Sequence, residues 1–286
     1  MIQLHNQDAE LFVPDGVEDD AALARTTHMA IGAHPDDIAI MAYHGIVECF
    51  GRTDRWFFAV TATDGAGSPR ADAYASYSDD EMKRVRSEEE KKAAVIGEYG
   101  AAALLGYSST EAKTGRRLLV EELAGLISSA RPRVVYTHNL ADRHDTHVAV
   151  ALRTIEALRL VSPEARPEAL YGCEVWRDLD WLTTEDKVVF DVSARPNLAA
   201  SLIGVYDSQI SGGKRYDVAA AGRWAANATY SESHQVDTAS ALTFAMDLTT
   251  LVSDDIDPVD LVERHIGRLR SDVIGRIERL STGVAE

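Results

Sequence analysis

The feature that most restricts the fold is an alternation of short, apolar, β-branched runs with longer amphipathic stretches. Thr27–Gly32 (THMAIG) reads as a buried strand, and Ile38–Phe50 as the helix after it. Trp56–Thr63 (WFFAVTAT) is a second strand closed by Asp64-Gly65, and Asp79–Gly100 is a long helix densely charged on one side. Ala102–Tyr107 and Arg133–Thr137 (RVVYT) are further strands, separated by a helix over Leu118–Ala130. A helix over Asp145–Leu160 and strands over Leu170–Val175 and Val188–Val192 follow. Such alternation predicts an α/β fold, a Rossmann-like, mostly parallel sheet flanked by helices. From Asn197 onward the chain reads as a mainly helical C-terminal extension, interrupted at Ser211-Gly212-Gly213. Its last helix, Pro258–Leu280, is a candidate contact element for a homo-oligomer. No repeat, low-complexity tract or linker divides the chain, so residues 1–286 read as one domain.

Composition narrows the partners. Apolar residues make up 45% and charged residues 26%, as in ordinary globular proteins. The 29 Lys and Arg against 46 Asp and Glu leave a net charge of −17, which repels phosphate backbones and anionic membranes. A small molecule is therefore the expected partner, not nucleic acid. The N-terminal residues lack a basic segment followed by an apolar one, and no apolar run approaches a membrane span. Cytoplasm is the expected compartment, without membrane insertion. Cys49 and Cys173 stand far apart in apolar surroundings and read as small buried hydrophobes.

Two polar clusters stand out. His34-Pro35-Asp36-Asp37 follows the strand THMAIG directly, and His138, Asp142, His144 and His147 follow RVVYT. Both lie at strand C-terminal ends, where open α/β sheets bind ligands. His144 and His147 are three apart at a helix start and can face the same side. Pro35 suits the first helical turn. Two imidazoles, one carboxylate and an open position for water form a catalytic zinc set. Two plainer readings stay open: Asp36 or Asp37 as a helix cap, and the histidine cluster as a solvated loop. Their joint occurrence after strands favours a site.

At these residues the chain resembles a known family. Ile31-Gly-Ala-His34-Pro-Asp36-Asp37-Ile38 is similar to the AHPDD signature of the LmbE-like (PIG-L) de-N-acetylases, and His144-Asp-Thr-His147 to their second motif. Weaker matches follow in order: Thr63-Asp64-Gly65-Ala-Gly67, Arg86-Ser-Glu-Glu89, Asp191-Val-Ser193 and Asp207-Ser208-Gln209. Ile38 stands where the family often has Glu, and Asp145-Thr146 where many members have Pro-Asp. The resemblance implies that His34, Asp37 and His147 bind a metal, usually Zn2+, with another divalent ion such as Fe2+ an alternative. It implies Asp36 as general base, His144 as oxyanion stabiliser, and Arg86 and Asp64 as contacts to the sugar.

The reaction so implied is hydrolysis of an N-acyl amide, foremost N-deacetylation of an N-acetylglucosamine-type amino sugar or its conjugate. Three rivals remain on the residues alone. One is a non-haem iron oxygenase built on two His and one carboxylate. The others are a non-catalytic sugar- or metal-binding module and an amidase for a non-sugar or thiol-sugar conjugate. His138 reads as a support to the ligands or a substrate contact, and His44 as packing. Asp142, Tyr216 and His234 match no family role. Trp176, Trp181, Trp224 and Tyr230 are candidate platforms for a sugar ring, and Lys214-Arg215 a candidate anion contact.

Overall fold

The computed structural model describes residues 4–115, 117–253 and 256–282. Strand β1 (Glu10–Phe12) and helix α1 (Asp19–Ala24) precede β2 (His28–Gly32), α2 (Asp37–Met41) and α3 (Tyr43–Cys49). Then come β3 (Phe57–Thr63), α4 (Asp79–Ile96), β4 (Ala101–Tyr107), α5 (Ser109–Lys113) and α6 (Arg117–Ala130). They are followed by β5 (Val134–His138), α7 (Asp145–Leu160), β6 (Ala169–Cys173), β7 (Lys187–Asp191) and α8 (Pro196–Gly204). The chain continues through α9 (Asp207–Ile210), α10 (Tyr216–Tyr230), β8 (Leu242–Asp247), α11 (Thr250–Ser253) and α12 (Pro258–Thr282).

The strands form one eight-stranded sheet in the order β1-β4-β3-β2-β5-β6-β8-β7. Strands β4, β3, β2, β5 and β6 are mutually parallel, while β1 and β8 pair antiparallel with their neighbours. The parallel strands are apolar on both faces because helices cover both. On one face Met29, Ile31, Val60 and Val135 meet Leu123, Ile127 and Val150 of α6 and α7. On the other, Ala30, Ala59 and Tyr136 meet Ile46 of α3, Leu202 of α8 and Trp224 of α10. Crossovers from β2 lead outward through β3 to β4, and the chain then returns to place β5 on the other side of β2. The sheet therefore reverses direction between β2 and β5, and a crevice opens beyond their carboxyl ends.

Three local differences from the sequence reading have physical causes. The helix expected over Ile38–Phe50 is broken at Ala42 into α2 and α3. The helix expected to reach Gly100 ends at Ile96, where Tyr99 packs so closely on Gly97 that a Cβ there would lie 2.3 Å from its ring. The C-terminal extension is mainly helical, but it returns β8 to the sheet between β6 and β7. Among the described residues, no helix is long and apolar enough to cross a membrane.

Candidate active site

The loop after β2 is pinned from both sides. The Thr63 backbone N–H and hydroxyl both donate to Ala33 O, at 2.9 and 2.8 Å. From β5, the buried Thr137 hydroxyl donates to Ile31 O. The chain turns at Asp36, whose φ of 114° lies where side-chain-bearing residues rarely go, at a cost of about 1–3 kcal/mol. Asp36 occupies the position before α2, yet its side chain makes no capping hydrogen bond. The Asp37 carboxylate instead turns back and accepts the His34 N–H at 2.7 Å. The cap reading thus fails for Asp36, and Pro35 precedes the helix instead of opening its first turn.

Asp37 is the hub. Its Oδ2 is 3.2 Å from His34 Nδ1, and its Oδ1 is 3.3 Å from His147 Nε2. His147 Nε2 and His34 Nδ1 are themselves 3.2 Å apart. One donor atom from each of the three residues lies within 4.8 Å of the others. Two imidazole nitrogens and a carboxylate oxygen fit zinc or another first-row divalent ion, with positions left for water or substrate. The three donors are buried or nearly so, as a resident cation requires.

Support for these donors comes from further buried groups. His138 is fully buried, stacks on His147 with ring centroids 3.9 Å apart, and accepts the Ala33 N–H at Nε2. That bond leaves the ring proton on Nδ1. His138 thus packs behind the three candidate donors, and with Asp142 and His147 it forms a second grouping able to hold a metal. Asp142 Oδ2 stands 3.5 Å from His147 Nδ1, on the side away from Asp37, as carboxylates stand behind metal-bound histidines. Its Oδ1 accepts the His144 N–H, and its Oδ2 also accepts the Trp176 N–H. Asp142 matches no family role in the sequence, where its position two residues before His144 was the one available signal.

Asp36 is handled differently from its neighbour. Arg86, 2% exposed, lies 3.2 Å from Asp36 Oδ1 and donates to Pro35 O and to the Ser68 hydroxyl. Gly65, at φ 67°, lets this guanidinium pass, since a Cβ there would come within 3.3 Å of Arg86 Nε. Arg86 therefore holds the turn that carries Asp36. Burial raises the Asp36 carboxyl, with Arg86 opposing and Asp37 adding to the rise. Burial also works to raise Asp37, but the His147 and His138 rings outweigh it and hold Asp37 well below the usual carboxylate range. Burial opposes charge on His147, yet Asp37 and Asp142 prevail and raise it. Glu90 on α4 is also buried here, accepts the Tyr206 hydroxyl and is pushed up by burial to about 7.

His144 lies at the rim, half-buried at the start of α7. Its ring stands edge-on to His34 at 4.9 Å and stacks on His147 at 4.6 Å. Burial, with the cationic tendency of His147, pushes it down to about 4, so it is a neutral imidazole near pH 7.

The remaining candidates scatter. Asp64 accepts the Ala66 N–H and pairs with Lys83 at 3.1 Å, lining a separate cleft of about 600 Å3 that shares Pro35 with the site. His44 packs on Phe190 with ring centroids 4.3 Å apart, as expected. His234 and Tyr230 are exposed. Of the four aromatic platforms, Trp176 alone stands beside the site, its ring 6.0 Å from His144. Trp224 stacks on Tyr43 and forms the wall of an adjoining cavity.

Comparison with known proteins agrees with this geometry. The chain resembles N,N'-diacetylchitobiose deacetylase of Pyrococcus horikoshii at TM-score 0.63 and 17% identity, over 82% of this chain and 88% of that one. A conserved protein of Thermus thermophilus aligns at TM-score 0.60 and 17% identity, over 78% of this chain and 94% of that one. The 4-carboxy-2-hydroxymuconate hydratase of Pseudomonas putida aligns at 0.57 and 14%, over 78% and 96%. At these identities the likeness is one of fold, and a deacetylase and a hydratase sharing it means that reaction must be read from the site. No curated protein matches the chain. Residues 29–158 match the family described as PIG-L, GlcNAc-PI de-N-acetylase. That segment, just under half of the chain, contains both histidine–aspartate clusters, and over it the chain resembles the PIG-L (GlcNAc-PI de-N-acetylase) family.

Proposed function

We propose that the protein is a metal-dependent N-deacetylase acting on an N-acetylated amino sugar or its conjugate. The observation that carries this reading is the unequal treatment of two adjacent carboxylates. Asp37 is enclosed by imidazoles, while Asp36 is turned out of the donor set and held by Arg86. A metal site that only binds has no use for the second acid. The family match and the deacetylase among the structural neighbours support the same reaction class. The open sheet is unlike the β-barrel on which an iron oxygenase of this donor type is usually built.

In this reading His34, Asp37 and His147 hold the metal, for which we propose zinc. The bound ion supplies Lewis-acid chemistry, acidifying water and polarising a carbonyl. Asp36 takes a proton from the attacking water, and its raised affinity for protons suits a base that must later return one to the leaving amine. Neutral His144 donates a ring N–H toward the carbonyl oxygen as negative charge grows there, a contribution of about 3–4 kcal/mol for one such donor. Arg86 fixes the turn at Asp36, and Asp142 and His138 orient the ligands. We assign Asp64, which lines the neighbouring cleft, to substrate binding.

The test is acetate release from a panel of N-acetylated sugars, with and without a chelator. We expect release that chelation abolishes and a divalent ion restores. Release insensitive to chelation would remove the metal from the reaction, and no release from any sugar would remove deacetylation.

A further inference from the structure

A cavity of about 270 Å3 adjoins the site, at the small end of ligand-binding cavities. Trp176, Lys214, Tyr216, Arg223, Glu174 and Trp224 are among its walls. It touches the active site at two points. The Trp176 ring is 6.0 Å from His144, and its backbone N–H is bound by Asp142, the carboxylate behind His147. Ile40 of α2, three residues past Asp37, closes another side.

The charges of these walls are unevenly satisfied. Glu174 is spent on the fold: its oxygens accept the Leu179 and Phe244 N–H groups and the Asn227 amide. Arg215 is held by Asp217 through two hydrogen bonds of 2.9 and 2.8 Å. Arg223 donates to the carbonyls of Val175 and Trp176, and so fixes the loop carrying Trp176. Lys214 differs from all three. Among the described residues its ammonium has no carboxylate or carbonyl partner, and it rests 4.9 Å above the Trp176 ring. In a chain of net charge −17, an uncompensated cation facing a cavity beside the site is informative. The 15-residue helix α10 begins at Tyr216 and lines the cavity along one face through Tyr216, Ala219, Ala220, Arg223 and Trp224.

We propose that this cavity receives an anionic group, a carboxylate or phosphate, carried by the amino-sugar substrate. Lys214 is its counter-charge, and Trp176 separates it from the reacting amide. The inference rests on the deacetylase reading for the rest of the substrate. It makes Lys214 a specificity residue that does not touch the reacting atoms.

The experiment compares N-acetylglucosamine 1-phosphate with methyl N-acetylglucosaminide in wild type, Lys214→Glu and Lys214→Arg. Acetate release is measured on the metal-loaded enzyme, and binding of the phosphate sugar by calorimetry on the metal-free protein. Wild type should favour the phosphate sugar in kcat/KM by about 10-fold or more, the size of one charge-assisted hydrogen bond. Lys214→Glu should erase that preference chiefly through KM and weaken calorimetric binding, and Lys214→Arg should retain both. Equal kcat/KM on the two sugars, unchanged in Lys214→Glu, would overturn the anion subsite and leave deacetylation standing. No acetate from either sugar, but binding that still depends on Lys214, would overturn deacetylation and leave the subsite standing. No acetate and no dependence on Lys214 would overturn both.

Discussion

The two ends of β2 offer two clusters of buried and half-buried histidines in contrasting surroundings. Near its start, His28 Nδ1 lies 3.0 Å from the Thr27 hydroxyl and 3.4 Å from Cys49 Sγ. His44 bonds the Tyr136 hydroxyl and stacks on Phe190. Burial pushes the Cys49 thiol up to about 12, so it stays protonated near neutral pH. Beyond the other end, His34, His138, His144 and His147 surround Asp37 and Asp142. Among the described residues, the groupings able to hold a metal are His34, Asp37, His147 and His138, Asp142, His147, both at this end. Burying imidazoles together is therefore not what makes a site. Carboxylates must converge on them, and the sheet's change of direction between β2 and β5 brings two loops to one crevice.

The comparison can be broken most forcefully at Asp36. Asp36→Asn should lower acetate release by about 10²–10⁴-fold, the range of a general base, with metal per chain unchanged. Metal analysis beside activity assays decides it: parallel loss of both would move Asp36 into the ligand set. A smaller effect is expected one layer back. Asp142→Asn should weaken metal affinity by about 10–100-fold, as for other carboxylates behind a ligand histidine. Titration against a competing chelator measures this, and an unchanged affinity would confine Asp142 to holding Trp176.

The smallest effect belongs to the opposite end of β2. His28→Asn should leave deacetylation unchanged but alter the pH dependence of stability. Burial lowers His28 from 6.5 to about 4 in the folded protein. Between those values the unfolded chain takes up a proton that the folded one refuses, so stability falls as pH falls. Urea midpoints at pH 7 and pH 5 should therefore differ less in His28→Asn than in wild type. An equal difference would show that His28 is not the group responsible.

Much of this was legible before any coordinates. Five strands from β2 to β6 follow from runs such as THMAIG and RVVYT, because strands buried on both faces are apolar throughout; helices α4, α6 and α7 and strand β7 were also legible, whereas the short α5 and the break between α2 and α3 were not. Strand β8 was not legible: Leu242–Asp247 sits among helical and polar segments, and it becomes a strand by pairing with β6 and β7. The short β1 likewise exists through its pairing with β4. In the site, His34, Asp37 and His147 stand out by motif and spacing. Trp176 was one of four candidate platforms, and nothing local set it apart from the others, since it meets Asp142 across 34 residues of chain.

Taken alone, the sequence determined that two acid–histidine clusters would cap two parallel strands of an α/β sheet. The different surroundings of Asp36 and Asp37 were decided by tertiary structure. Adjacent side chains at a turn point where the backbone dihedrals send them. The rare φ of 114° at Asp36 is held by contacts from elsewhere: Thr63 on Ala33 O, and Arg86 on Pro35 O. No local pattern encodes such a conformation. It persists because packing and buried hydrogen bonds from distant elements outweigh its strain.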